Sequence, residues 1–374
     1  MTTRAPTSSL NKPLGFTLLE LVLVLFLIGL LASAGLLFTQ NIEDQAQFDE
    51  TQRRLELIRK AIIQAGDRTV NGQPELTGFV VDNGRLPYCL AELTGPELAF
   101  LPTIAVSGAA FYPSPCSSNT NLLLPVANTS PEGIRYGWQG PYIQVPAADS
   151  RPGSFAGFNR PFRDGYNNDL LIEDFPTLNY GWIWTLAASQ TAPPFDAGDL
   201  IDIYDSAYDP ETDPAPAYLT VQSLGYDPVL DSDNTPLDAI NDFLVRSDDW
   251  LYSGGFAVQF VNTSAVSAIE NWDQINPDEW QFTLTKNISG VPAQIDAVDI
   301  SFTPATSSLS PGEMQQYAVD LGMDPAPVPV GYYRVEVRCV DIDGDCPEMA
   351  SQPFTISILP RQQIAPIRWN IQPQ

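Results

Sequence analysis

Apolar residues follow three different patterns along the chain. Over residues 16–38 they form a nearly unbroken run, in which Glu20 is the lone charged residue. Over residues 39–65 they recur every three to four positions among charged and amide side chains, which predicts an amphipathic helix. Beyond about residue 235 they alternate with polar residues, which predicts strands with one buried face. Together the patterns predict an α+β protein with one long N-terminal helix.

The apolar run is long enough to cross a membrane. Its length of about 23 residues, at 1.5 Å each, covers a hydrocarbon core of roughly 30 Å. It is longer than the core of a secretory signal, and no small-residue cleavage site closes it. Arg4 and Lys12 precede it without an acidic residue, so the positive-inside rule places residues 1–15 in the cytoplasm. Glu20 is costly there and needs a partner, unless it snorkels to the interface of a plain anchor.

The helical pattern gives way to short strand-like runs after Gly66 and Asp67, and Asn71-Gly72 predicts a turn. The runs at 79–81, 142–145 and 180–186 are separated by turn residues rich in Gly, Asn and Asp.

The last 140 or so residues carry the strongest two-residue periodicity. Five segments alternate in this way: FAVQFVN (256–262), WQFTLTK (280–286), AVDISFTP (297–304), YYRVEVRCV (332–340) and PFTISILP (353–360). Their spacing predicts a β-sandwich of immunoglobulin-like type, an architecture that hosts binding more often than catalysis.

The residues around Glu20 resemble the processing site of type IV prepilins and type II secretion pseudopilins. The motif is Gly15-Phe16-Thr17-Leu18-Leu19-Glu20. The resemblance implies that a prepilin peptidase cuts after Gly15 and that the new N-terminal Phe16 is methylated. It also implies that Glu20 pairs with the Phe16 amine of a neighbouring subunit during filament assembly, which can fix register even at little net stabilisation.

Further segments resemble the major pseudopilin in the same order. They are DNGRLP (82–87), GPYIQVP (140–146), FRDGYNN (162–168), NYGWIW (179–184) and QSLGYDP (222–228). The family's Asp-Pro-Trp-Gly-Asn turn is altered to Asp-Gly-Tyr-Asn-Asn at 164–168, and the chain continues well beyond the family's usual end. The expected organisation is a leader (1–15), a transmembrane and filament-core helix (16–38), an amphipathic helix (39–72), a pseudopilin-like head (73–234) and a β-sandwich (235–374).

The amino-acid composition argues against several classes of function. The 374 residues include 18 Lys and Arg against 45 Asp and Glu, a formal net charge of −27, which excludes nucleic acid as a partner. There is no histidine, so the usual general base and zinc ligand are missing, and we expect no enzymatic activity. Nearness in sequence favours two disulfides, Cys89 with Cys116 and Cys339 with Cys346.

Two acidic groups are candidate calcium sites, although no cofactor is required. Asp227 matches a ligand position of calcium-binding pseudopilins, and Asp231 and Asp233 lie beside it. The second group places Asp341, Asp343 and Asp345 at alternate positions. Its glycine falls one place early and no distal glutamate follows, so the competing interpretation, a tight hairpin turn at residues 343–344, is favoured.

The expected function is that of a minor pilin or pseudopilin near the tip of a type IV pilus or type II secretion pseudopilus. The expected partners are other pilin subunits, the prepilin peptidase and the inner-membrane assembly platform. The expected location is the inner membrane, with a periplasmic head, before assembly into the filament. The alternative is a pilin-anchored adhesin or substrate-binding module that presents the C-terminal β-sandwich.

Overall fold

The computed structural model describes most of the helix and strand framework of the chain. The described residues are 17–70, 73–95, 103–106, 109–116, 122–129, 134–144, 162–166, 182–188, 198–203, 205, 207–210, 213–223, 225, 240–272, 280–287, 292–301, 306–319, 327–339 and 346–373.

One long helix and three short ones are described. They are α1 (Leu18–Ile62), α2 (Phe79–Asn83), α3 (Ala91–Thr94) and α4 (Ser247–Trp250). Helix α1 has 45 residues and therefore extends over about 68 Å at 1.5 Å per residue. It ends slightly before the sequence pattern suggests, because Ile63 is already extended and a strand begins at Gln64.

The first ten strands build the head in four small sheets. They are β1 (Gln64–Val70), β2 (Gln73–Thr77), β3 (Ile104–Val106), β4 (Ala109–Pro113), β5 (Leu123–Pro125), β6 (Asn128–Thr129), β7 (Arg135–Tyr136), β8 (Trp182–Ala187), β9 (Tyr218–Ser223) and β10 (Ile240–Val245). The sheets are β1-β2, β3-β4-β5, β6-β7 and β10-β9-β8, all antiparallel. Because β10 pairs with β9, the head sheet extends past residue 234.

The remaining strands form the C-terminal lobe. They are β11 (Leu251–Tyr252), β12 (Phe256–Asn262), β13 (Ile269–Glu270), β14 (Trp280–Asn287), β15 (Pro292–Ser301), β16 (Ser308–Leu309), β17 (Met314–Val319), β18 (Val328–Pro329), β19 (Gly331–Cys339), β20 (Glu348–Met349), β21 (Phe354–Ile358) and β22 (Ile367–Gln372). Eight of them follow the order β20-β22-β12-β17-β15-β14-β19-β21, and β11-β18 and β13-β16 are separate pairs.

Buried residues gather in two cores that meet between Leu251 and Tyr252. The head core runs from Leu55 to Trp250 and includes Val330. The C-terminal core runs from Tyr252 to Ile371 and contains three fully buried tryptophans, Trp272, Trp280 and Trp369. The inclusion of Val330 in the head core shows that the C-terminal lobe packs directly on the head.

The expected α+β class with an immunoglobulin-like β-sandwich is wrong. The described residues contain twenty-two strands and four helices, so they are mostly β outside α1. The five alternating segments are confirmed as β12, β14, β15, β19 and β21, but two separate facing sheets are not shown. The physical reason lies in β15, which pairs with β14 over most of its length and with β17 at Ile300 and Ser301. This strand joins both groups into one hydrogen-bonded order.

The expected transmembrane segment at residues 16–38, and the single-pass inner-membrane location with it, is also wrong. Crossing a hydrocarbon core takes about 20 consecutive apolar residues. Within the described ranges, no helix meets the requirement of length and apolarity for a membrane span.

The run at residues 79–81 is helical, although its residue types favour a strand. Gly78, with φ of 117°, precedes α2, and Gly84 ends it in the left-handed conformation, with φ of 71°. The side-chain amide of Asn83 donates to the Phe79 carbonyl at 3.0 Å. Because Phe79, Val80 and Val81 are all buried, tertiary packing overrides their β propensity here. The expected strand at 142–145 is likewise absent over its described part, residues 142–144.

Candidate assembly interface

Helix α1 begins with a capping box formed by Thr17 and Glu20. The Glu20 Oε2 accepts hydrogen bonds from the backbone N–H of Thr17 at 3.0 Å and from its hydroxyl at 3.1 Å. The Thr17 Oγ1 accepts in turn from the Glu20 N–H at 3.2 Å. The arrangement satisfies N–H groups that a helix start leaves without a partner. Glu20 therefore has a partner within its own chain, which the sequence interpretation missed although Thr-x-x-Glu is the signature of this box.

The first turns of α1 carry an apolar surface on every side of the helix. Exposed fractions run from 45% at Val24 to 83% at Leu18. The exposed side chains are Leu18, Leu19, Leu21, Val22, Leu23, Val24, Leu25, Phe26, Leu27, Ile28, Leu30 and Leu31, which we call the apolar segment. A helix that is apolar all round is normally buried. The described part of the chain does not cover this one.

The other end of α1 is buried in the head core. Thr51, Leu55, Ile58 and Ile62 are between 0% and 3% exposed. Their spacing of four, three and four residues places them on one stripe of the helix. The same helix therefore has a buried, one-sided end and an exposed, all-round apolar end.

A turn at residues 162–166 fastens α1 to the head. The Gly165 N–H donates to Thr51 Oγ1 at 2.9 Å, and Arg54 Nη1 donates to the Arg163 carbonyl at 2.7 Å. A Cβ on Gly165 would lie 2.0 Å from the carbonyl oxygen of Gln47. The turn is part of the segment FRDGYNN. Gly165 is needed there because any Cβ would collide with α1, so only glycine lets the two backbones approach this closely.

An ion-pair cluster lies on α1 next to this contact. Hydrogen bonds from Arg53, and from Arg54 as well, lower the pKa of Glu50 to about 2, against a smaller opposing effect of burial. Arg54 Nε lies 2.6 Å from Glu50 Oε1, and its guanidinium is 5.6 Å from the Phe162 ring centre. Arg54 thus connects α1 to the turn through its hydrogen bond to the Arg163 carbonyl and its contact with the Phe162 ring, while its ion pair with Glu50 stays within α1.

Several predicted site residues lie outside the described residues. These are Gly15 and Phe16, and the six candidate calcium ligands Asp227, Asp231, Asp233, Asp341, Asp343 and Asp345. In the ranges that are described, no group of three or more His, Cys, Asp or Glu side chains could hold a metal ion. The calcium sites stay predictions.

Both disulfides join the cysteines that are nearest in sequence. Cys89 and Cys116 are fully buried, with Cα atoms 5.5 Å apart, and connect the start of α3 with the end of β4. Cys339 and Cys346, with Cα atoms 5.8 Å apart, connect the end of β19 with the residues before β20. Each link lies within one lobe.

Comparison with known protein families gives no match, and neither the curated proteins nor the solved structures give one. The pilin resemblance therefore depends on the motifs of the chain alone, and the adhesin alternative likewise stays a prediction.

Proposed function

We propose that the chain is a structural subunit of a filament of the type IV pilin or type II pseudopilin kind. In this proposal, the apolar segment of one subunit packs against the same segment of neighbouring subunits, and the head lies outside the helical bundle. The observation that carries it is the contrast along α1, whose apolar segment is exposed on all sides while its last turns are anchored in the head core.

The energetics favour several neighbours over one. Burying an exposed Leu, Val, Ile or Phe side chain contributes about 1.5–3 kcal/mol. A single neighbour would cover about half of the dozen side chains, or about 9 kcal/mol at the lower value. Association itself costs about 4–15 kcal/mol, so one contact is marginal and an assembly of several helices is needed.

Two features of the chain support the pilin kind in particular. Gly15, Phe16 and Glu20 stand at the positions of the prepilin processing motif. The C-terminal lobe adds a large sheet to the head, and a head of this size favours a minor position near a filament tip over a place at every lattice site.

The test compares charged variants of the full chain. Leu25→Asp and Ile28→Asp each place a carboxylate in the apolar segment, where the wild-type side chains are 61% and 57% exposed. Gln52→Asp adds the same charge to the exposed face of the same helix near the head and serves as the matched control. Sedimentation velocity and electron microscopy report assembly, and near-ultraviolet circular dichroism reports the aromatic packing of both lobes.

We expect wild type and Gln52→Asp to form elongated assemblies, and the two segment variants to remain small with an unchanged near-ultraviolet spectrum. Assembly of Leu25→Asp and Ile28→Asp at the wild-type level would overturn the proposal. So would a wild-type chain that stays monomeric with bound detergent, because the apolar segment would then have another occupant.

A further inference from the structure

A lysine is buried at the junction of the two lobes. Lys286 lies on β14 and is 1% exposed. Its Nζ donates to the carbonyl oxygen of Val330 at 3.2 Å and lies 5.3 Å from the centre of the Tyr333 ring. Burying an ammonium group is expensive unless charge and hydrogen bonds compensate it.

The backbone next to Lys286 connects the two cores. The Val330 N–H donates to the Trp250 carbonyl at 2.7 Å, and Val330 belongs to the head core. The hydroxyl of Tyr332 accepts from the Leu76 N–H at 3.3 Å. The bond between Leu76 and Tyr332 joins the two lobes directly, whereas the bond between Val330 and Trp250 continues the β11–β18 pairing.

A carboxylate of the head lies on the helix that packs against β19, the strand beside this lysine. Asp82 lies on α2, and its Oδ2 accepts from the Tyr142 hydroxyl at 3.0 Å. Gly331 leaves the room that Lys286 occupies, because a Cβ there would lie 2.7 Å from Nζ and 3.5 Å from the Val81 carbonyl oxygen. The Val81 carbonyl therefore lies close to the position of Gly331, which itself adjoins the amine, and Asp82 is the next residue of α2.

Burial shifts both groups towards their neutral forms, and the charges around the pair oppose this shift. Burial, opposed by the charge of Asp82, lowers the pKa of Lys286 from 10.5 to about 7. Burial raises the pKa of Asp82 from 3.8 to about 6, against the hydrogen bond from Tyr142 and the charges of Lys286 and Arg135. Burial also raises the pKa values of Tyr142 and Tyr333, so both phenols stay neutral around the pair.

We propose that Lys286 and Asp82 form a pH-dependent latch between the head and the C-terminal lobe, which is weakest near neutral pH. In this proposal, separation of the lobes hydrates Lys286 and increases the hydration of Asp82, which is half-buried when docked. The docked state is therefore stabilised when either group loses its charge, and when both are charged it carries their burial cost less their mutual attraction.

Linkage gives the direction in which docking stability changes with pH. Burial raises the pKa of Asp82 from 3.8 to about 6, so its penalty is complete above about pH 6 and disappears as the pH falls towards 3.8. Burial lowers the pKa of Lys286 from 10.5 to about 7, so its penalty is complete below about pH 7 and disappears as the pH rises towards 10.5. Both penalties coincide between about pH 6 and 7.

Hydrogen exchange of the full chain tests the latch at single amides. The Leu76 amide, which donates to Tyr332 across the junction, reports docking, and the amides of the β8–β9 ladder report opening of the head alone. Relative to about pH 6.5, linkage predicts junction protection factors about 15-fold higher at about pH 4.5 and about 55-fold higher at about pH 9. The protection factors of the ladder amides should not show this minimum.

The double variant Asp82→Asn with Lys286→Met removes both titrations while keeping side-chain size. Its junction protection should be independent of pH, which supports the latch. The same minimum in the double variant would overturn it. If the double variant does not fold, the wild-type profile still decides, because flat or monotonic junction protection, or an equal minimum in the ladder amides, contradicts a latch between lobes.

Discussion

The attachment of α1 to the head can be tested by truncating one side chain, Ile58. It is fully buried in the head core, whereas its neighbour Leu57 is 40% exposed. Replacing a buried Ile by Ala costs about 2–5 kcal/mol, through lost burial and the cavity that remains. The same truncation at an exposed position changes stability by about 0.5 kcal/mol or less. Leu57→Ala is therefore a matched control on the same turn of the same helix.

Urea unfolding measures the difference. Tryptophan fluorescence follows both lobes, because each core contains buried tryptophans, among them Trp138, Trp182 and Trp184 in the head and Trp272, Trp280 and Trp369 in the C-terminal lobe. A change of midpoint between these variants reports the head, because only head residues are altered. For a loss of about 3 kcal/mol and a slope of about 3 kcal/mol/M, the midpoint of Ile58→Ala should fall by about 1 M. Ile58→Val removes one methyl group and should cost about 0.5–1.5 kcal/mol.

The graded order of these variants is the decisive result. We expect Ile58→Ala to be the least stable, Ile58→Val intermediate, and Leu57→Ala close to wild type. Equal midpoints for Ile58→Ala and Leu57→Ala would refute the reasoning, because the end of α1 would then not be part of the head core. Such a result would also remove the contrast along α1 on which the filament proposal depends.

Two further predictions concern the head. Gly165→Ala should destabilise it by about 1–3 kcal/mol, because the added Cβ meets the Gln47 carbonyl. The control Gly198→Ala should not destabilise it, because the space around Gly198 is open. Equal shifts of the two variants in thermal unfolding would contradict this prediction. Replacing both Cys89 and Cys116 by Ala should lower the free energy of unfolding by about 3–4 kcal/mol, the value of the chain-entropy model for a separation of 27 residues. Urea unfolding measures the loss, and an unchanged midpoint would show that the disulfide does not restrict the unfolded head.

Strands and helices whose residues follow a regular apolar periodicity could be predicted from the sequence. The alternation in FAVQFVN and WQFTLTK gave β12 and β14, because a strand with one buried face must repeat every two residues. The helical spacing of Leu55, Ile58 and Ile62 identified the face of α1 that packs on the head. The capping box of Thr17 and Glu20 was equally visible in the sequence and could have been predicted.

Features that depend on distant contacts could not be predicted. Phe79 to Val81 form a helix because the head buries all three side chains between two glycines. Lys286 follows Trp280, Phe282 and Leu284 on the buried face of β14, but its charge favours exposure, and it is buried because the head covers that end of the strand. The strand β15 pairs with two partners, and no local pattern shows that a strand will join two groups into one sheet.

The neighbours of β12 have a consequence for the order of folding. This strand pairs in parallel with β22, and the pair Val258 and Ile367 brings together segments more than a hundred residues apart. Residues Asn287 and Pro292, which close the β14–β15 ladder, are almost adjacent in sequence. Closing a long loop costs more entropy than closing a hairpin, so non-local pairs form slowly. The C-terminal sheet should therefore begin at the β14–β15 hairpin and finish at β22, which leaves one edge of β12 open for most of the folding time.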